Sequence, residues 1–145
     1  MKFGFFDDNK KEYVTTTPVT PIKWSNYVGT LNFGGIVDSN GGVLLCKGDP
    51  ALNRITKYVA QMPNSDFKGS TVYLKVRDKA GKVEVFSPFF TPTLKPLDKF
   101  ENHTGLSYSQ FIAEAYGIRS EVTFFVPKDD EVLLQDIKIT NICFT

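Results

Sequence analysis

Proline and glycine interrupt this chain so often that no long apolar stretch survives between them. Eight Pro and eleven Gly are spread over 145 residues. Short apolar runs bounded by turn residues point to an all-β domain. The clearest run is Thr71–Arg77, with Val72, Leu74 and Val76 on one face and Thr71, Tyr73, Lys75 and Arg77 on the other, the period of a half-buried strand. Asp78-Lys79-Ala80-Gly81 then turns it into Lys82–Ser87, a hairpin. Met1–Phe6 and Glu12–Thr16 read as strands around an Asp7-Asp8-Asn9 turn. Thr17–Pro21 is an extended crossing segment, since its two prolines cannot join a ladder. Trp24–Thr30, Phe33–Val37 and Val43–Cys46 follow as apolar strands, the last after a Ser39–Gly42 turn, and Phe124–Val126 and Gln135–Thr140 complete the set.

One segment reads two ways. In Ser107–Ile118, Tyr108, Phe111, Ile112, Ala115 and Tyr116 fall at helical spacing. A strand pair turning at Tyr116-Gly117 competes with that helix.

The segment CKGDPALNRITKY, Cys46–Tyr58, follows a glycine-rich stretch and invites comparison with a phosphate cradle. It fails that comparison. Gly34-Gly35 and Gly41-Gly42 match neither GxxxxGK[ST] nor GxGxxG, and they are read as turns and bulges of a sheet. Nucleophile–base catalysis is poorly served too. His103, the one histidine, sits in a polar stretch and is expected at the surface. Asp7-Asp8 and Asp129-Asp130 are adjacent pairs in turn sequences, and neighbours on a strand face opposite ways. The residues describe a β domain able to bind a ligand, without a catalytic site of its own.

Composition narrows the setting. The length suits one domain, and 41% hydrophobic with 23% charged residues argues against disorder. A net charge of +1 offers no electrostatic case for nucleic acid or an anionic membrane as partner. Thirteen Phe, six Tyr and one Trp suit either a β core or stacking against sugar rings. Cys46 and Cys143 lack metal-ligand spacing and are expected to be buried, reduced thiols. No apolar run approaches the ~20 residues of a membrane span. Met1–Tyr13 turns acidic too soon for a signal peptide, so a cytoplasmic location is expected, and the Asn102-His103-Thr104 sequon is read as chance.

Four ordered blocks then carry a resemblance. They are Gly4-Phe5-Phe6-Asp7, Glu12-Tyr13-Val14, Thr17-Pro18-Val19-Thr20-Pro21 and Trp24-Ser25-Asn26-Tyr27-Val28-Gly29. The chain resembles the opening of glycoside hydrolase family 94, the inverting disaccharide phosphorylases. The likeness continues through Gly41-Gly42, Asn53–Tyr58, Phe86-Ser87-Pro88, Gly105–Ser109, Gly117-Ile118-Arg119, Phe125-Val126-Pro127 and Ile139-Thr140-Asn141. It departs at Thr104, where the family often has His, and at Lys57-Tyr58-Val59, where it often has Arg-Tyr-Arg.

The resemblance implies an antiparallel β-sandwich, residues 1–145 being a truncated N-terminal part of it. A helical linker and an (α/α)6-barrel catalytic domain would follow. It makes Tyr108–Tyr116 a strand. It implies phosphorolysis of a β-linked disaccharide, with inorganic phosphate as co-substrate and no other cofactor. The general acid and the phosphate site lie in the barrel, so no catalytic or metal residue is expected here. The likeness further implies a homodimer whose sandwich loops close a neighbouring active site. Lys47, Asp49, Arg54 and Lys57 are then candidates to face sugar or subunit, with Trp24 or Tyr27 stacking on a ring. Cellobionic acid is placed slightly ahead of cellobiose, and chitobiose is also suggested. A stand-alone carbohydrate-binding module is the alternative.

Overall fold

The computed structural model of the chain describes residues 2–56, 70–77 and 80–143. The strands are β1 (Gly4–Asp7), β2 (Glu12–Thr15), β3 (Ser25–Gly29), β4 (Phe33–Asp38), β5 (Val43–Lys47), β6 (Leu74–Arg77), β7 (Val83–Phe86), β8 (Lys99–Gly105), β9 (Tyr108–Ala115), β10 (Ile118–Phe125) and β11 (Leu134–Asn141). All their ladders are antiparallel. A six-stranded sheet runs β1-β2-β8-β9-β10-β11, a three-stranded sheet runs β3-β4-β5, and β6-β7 is a separate hairpin. The chain thus leaves the large sheet after β2, builds the small sheet and the hairpin, and returns as β8.

Alternation on β9 and β10 sends one set of side chains between the sheets. Phe111 lies opposite Val122, and Ser109 opposite Phe124. From the small sheet come Val28, Phe33, Val37, Val43 and Leu45. Phe89, from the loop after β7, plugs the space between them. Its ring meets Phe111 edge-on at 4.9 Å and 80°, and Phe111 meets Phe124 at 5.9 Å and 86°, the edge-to-face geometry that ring quadrupoles favour. Gly41 has φ +74°, and a Cβ there would lie 2.5 Å from Phe89 Cγ, so the Ser39–Gly42 turn closes directly on this ring.

The strand reading of Tyr108–Tyr116 is correct, and the helical spacing has a physical explanation. β9 is covered on both faces, so Ile112 on the outer side is buried alongside the inner Phe111 and Ala113. Apolar residues on both faces blur the period of two. Tyr116 and Gly117, at φ 51° and 73°, make the β9–β10 turn, the signature of a tight hairpin that matches strand twist.

Two expectations change. Gly34-Gly35 is neither turn nor bulge; both lie inside β4, in unbroken register from Phe33↔Lys47 to Val37↔Val43. They are glycines because of close approach: a Cβ on Gly35 would lie 1.8 Å from the Leu44 carbonyl oxygen, and one on Gly34 2.4 Å from that of Val28. The second change is β8, where no strand is expected because Lys-Phe-Glu-Asn-His-Thr-Gly lacks an apolar alternation. The predicted Asp78–Gly81 turn lies partly outside the described residues.

The small sheet covers only the middle of the large one. Ile137 and Ile139 of β11 lie on the core side, opposite Val122 and Ser120, yet are 41% and 54% exposed. The sandwich is open along this edge. Truncation of Phe111 to Ala should destabilise the chain by ~3–5 kcal/mol, with an unchanged dependence on denaturant concentration in urea unfolding followed by circular dichroism.

Candidate functional site

The loop after β5 is built by its own backbone. Asp49 Oδ1 accepts from the Ala51 amide at 2.7 Å, and the Asp49 carbonyl accepts from the Asn53 amide at 2.9 Å. The chain then doubles back beside β5: Lys47 N donates to the Asn53 carbonyl at 3.1 Å, and Arg54 bridges Cys46. The Gly48 amide, at φ 65°, donates to the Asn32 carbonyl at 2.9 Å, tying this loop to the β3–β4 turn. Lys47 reaches Glu131 at 2.5 Å, both side chains more than half exposed, a pair of small energetic weight. Arg54 is exposed, as are Leu31 and Leu52 nearby. The structure therefore brings Lys47, Asp49 and Arg54 to one end of the small sheet. Asp49 spends its carboxylate on its own turn. Lys57 lies outside the described residues.

Trp24 and Tyr27 are not brought together. Tyr27 points out from β3 and is 79% exposed, whereas Asn26 and Val28 point inward. Trp24, two residues before Asn26, turns inward and is half-buried. Its ring contacts Phe3 at 5.9 Å and Tyr13 at 5.8 Å, both edge-on. Beside it opens a cavity of about 300 Å³ between the sheets, lined also by Ser25, Asn26, Val37, Asn102 and Thr104. Asn26 ties the sheets together at this point. Its Nδ2 donates to the carbonyls of Gly105 and Tyr108 at 3.0 and 2.7 Å and approaches Ser109 Oγ at 3.2 Å. Asn26→Leu would strand those carbonyls and should cost ~1–3 kcal/mol of stability, read as a lower midpoint in urea unfolding.

Among the described residues, the largest gathering of titratable groups lies on the other face of the large sheet. Glu12 on β2 accepts from the Tyr108 hydroxyl through Oε1, while its Oε2 is 2.7 Å from His103 Nδ1. His103 Nε2 faces Glu101 at 3.4 Å. Beyond, Lys99 pairs with Glu101, and Arg119 with Glu114 and Glu121. His103 is 7% exposed, which corrects its expected surface position. Strand β8 puts it there, opposite Val14 and Gln110. The Gly105-Leu106-Ser107-Tyr108 motif acquires a reason too. Tyr108 lays its ring across Gly105, where a Cβ would come within 2.3 Å of it, to reach Glu12.

Burial raises the Glu12 carboxyl, but hydrogen bonds from Tyr108 and His103 outweigh it and leave the group below the ordinary 4.5. Glu101 is likewise lowered, with burial opposing and Lys99 and His103 prevailing. The hydrogen bond to Glu12, with burial, pushes the Tyr108 hydroxyl up to about 12. With Glu12 and His103 side chains only 5% and 8% exposed, the cluster is closed to a substrate. Among the described residues no three His, Cys, Asp or Glu side chains gather where a metal ion would sit. Both cysteines are free, but only Cys46 is partly covered; Cys143 is exposed, because it follows β11 on the open edge.

The described residues thus form an all-β sandwich with a charged loop at one end and a small neutral cavity between its sheets. The family follows from the chain itself: residues 11–143 match the model described as glycosyl hydrolase 94, supersandwich domain, and the chain belongs to that family. It is 37% identical over 145 residues to N,N′-diacetylchitobiose phosphorylase of Vibrio proteolyticus, covering 97% of this chain and 17% of that protein. The N,N′-diacetylchitobiose phosphorylase of Vibrio furnissii gives the same identity and shares. Solabiose phosphorylase of Paenibacillus borealis is 29% identical over 143 residues, 96% of this chain and 18% of that protein. The chain thus spans less than a fifth of the length of these curated relatives.

Glu12, with Glu101, contributes to the acid limb of the pH–stability curve, and Tyr108 to the alkaline one. A carboxyl held low in the fold contributes stability above pH 4.5, and that contribution is lost as pH falls through its lower folded value. A phenol raised from 10.0 to about 12 contributes fully below pH 10 and loses its contribution between pH 10 and 12. Tyr108→Phe should remove the alkaline step in a urea-midpoint series against pH. Glu12→Gln should flatten the acid limb and return Tyr108 ionisation toward pH 10 in a tyrosinate absorbance titration.

Proposed function

We propose that this chain is the sandwich region of an inverting disaccharide phosphorylase, and that the observation carrying this reading is the family match over residues 11–143. In that reaction a general acid gives its proton to the glycosidic oxygen as the C–O bond breaks. Phosphate attacks the anomeric carbon from the opposite face, leaving an α-sugar 1-phosphate and a free sugar. Phosphate replaces the activated water of an inverting hydrolase, so a single carboxylic acid suffices. That acid belongs to a catalytic barrel beyond this region. The sandwich contributes assembly: it packs on the barrel, supports a homodimer, and presents Lys47, Asp49 and Arg54 toward a neighbouring active site, with Lys57 following in the chain.

The substrate class we favour is an N-acetylated β-linked disaccharide of the N,N′-diacetylchitobiose type, ahead of cellobionic acid and cellobiose. The 37% identity to two phosphorylases of that name supports this order.

The test is an assay of the complete gene product carrying this chain, with inorganic phosphate and each of the three disaccharides. Release of equimolar sugar 1-phosphate and free sugar is expected, fastest from N,N′-diacetylchitobiose. Failure with all three disaccharides overturns the reading in favour of a module that binds sugar without catalysis. Arg54→Ala in that product should raise the KM for the disaccharide roughly tenfold, the weight of one charged hydrogen bond, while leaving the urea midpoint unchanged.

A further inference from the structure

We infer that the cavity beside Trp24 is a binding site for one neutral pyranose ring. Its position follows from strand alternation. On β2 and β8, Glu12 and His103 face outward, so Tyr13, Asn102 and Thr104 face inward, toward Trp24. The result is a cavity with an aromatic wall on one side and uncharged polar groups on the other.

Two of those groups are uncommitted. Thr104 Oγ1 and Asn102 Oδ1 have no hydrogen-bond partner among the described residues; Asn102 uses only its Nδ2, in a long 3.5 Å contact to the Gln110 carbonyl. Asn102 is 3% exposed, so its side chain is fixed in place rather than free to find water elsewhere. Held oxygens beside an indole are what a sugar ring requires, since hydroxyls answer the oxygens and the C–H face lies on the aromatic wall.

Size and charge narrow the ligand. About 300 Å³ is at the lower end of small-molecule sites, enough for one ring and not for two. No Asp, Glu, Lys, Arg or His lines the cavity. Lys23, next to Trp24, is turned to Asp38 at 3.6 Å. A phosphate or a sugar acid would shed water there without a countercharge, which is costly. The site therefore takes a neutral hexose or N-acetylhexosamine and rejects charged sugars.

Trp24 is the single tryptophan of the chain, so intrinsic fluorescence reports this cavity alone. The experiment titrates the 145-residue chain with methyl β-glucoside and with N-acetylglucosamine, using gluconate and glucose 6-phosphate as charged controls. Saturable emission changes with a Kd on the order of millimolar are expected for at least one neutral sugar, and none for the controls. Thr104→Val and Asn102→Ala should each weaken binding roughly three- to tenfold with unchanged circular dichroism. Absence of a saturable change with both neutral sugars overturns the assignment. So does equal binding of the charged controls, or undiminished binding by both folded variants. Phosphorolysis by the complete product is untouched by any of these results, so the two readings fail separately.

Discussion

Phe89 is the contact on which the two sheets depend. It comes from neither sheet, yet it fills the gap that opposed rows of Val, Leu and Phe leave between them, and its ring touches both Phe111 and Phe124. A buried Phe is worth about 1.5–3 kcal/mol of apolar burial, and here it also sets the sheet separation. Gly41 is bound to this choice, because any side chain there would occupy the ring's place. The Ser39–Gly42 turn, and with it the hairpin of β4 and β5, therefore takes its path from a residue far along the chain.

Once the spacing is set, alternation along β2 and β8 sorts the chemistry. The outer face collects carboxylates, imidazole and phenol into a buried, mutually satisfied cluster; the inner face keeps neutral amides and hydroxyls beside Trp24. The two sets are interleaved residue by residue in the sequence and separated only by the pleat. That separation explains why a chain with many acids and bases shows no constellation suited to nucleophilic catalysis among its described residues. Of its buried ionisable groups, Glu12 and His103 are used up in holding strands together, and Asp38 accepts from the Asn40 and Gly42 amides to close the Ser39–Gly42 turn.

The open edge at β11 and the loop end near Lys47 and Arg54 have a different character. They expose aliphatic and charged side chains without internal partners to explain them all. An eight-residue edge strand with exposed Ile137 and Ile139 is a surface that sheets ordinarily pair or cover. The curated relatives are several times longer than this chain.

How much of this was legible beforehand varies by element. Turn chemistry and the period of two were sufficient for the all-β class, for β6 and β7, and for most of β1 to β5, because those signals are local. The four family blocks carried the sandwich and the strand nature of β9. The sequence could not reveal β8: its polar residues make sense only when Asn102 and Thr104 meet Trp24 on one face and His103 meets Glu12 on the other. Nor could it show that Gly34-Gly35 is a close approach within a strand. Local propensity is written in neighbouring residues, and the sequence by itself determined the strands and turns that depend on it. Which strand lies beside which, and so which side chains share a cavity or a buried cluster, depends on contacts between distant residues, and only the tertiary structure decided it.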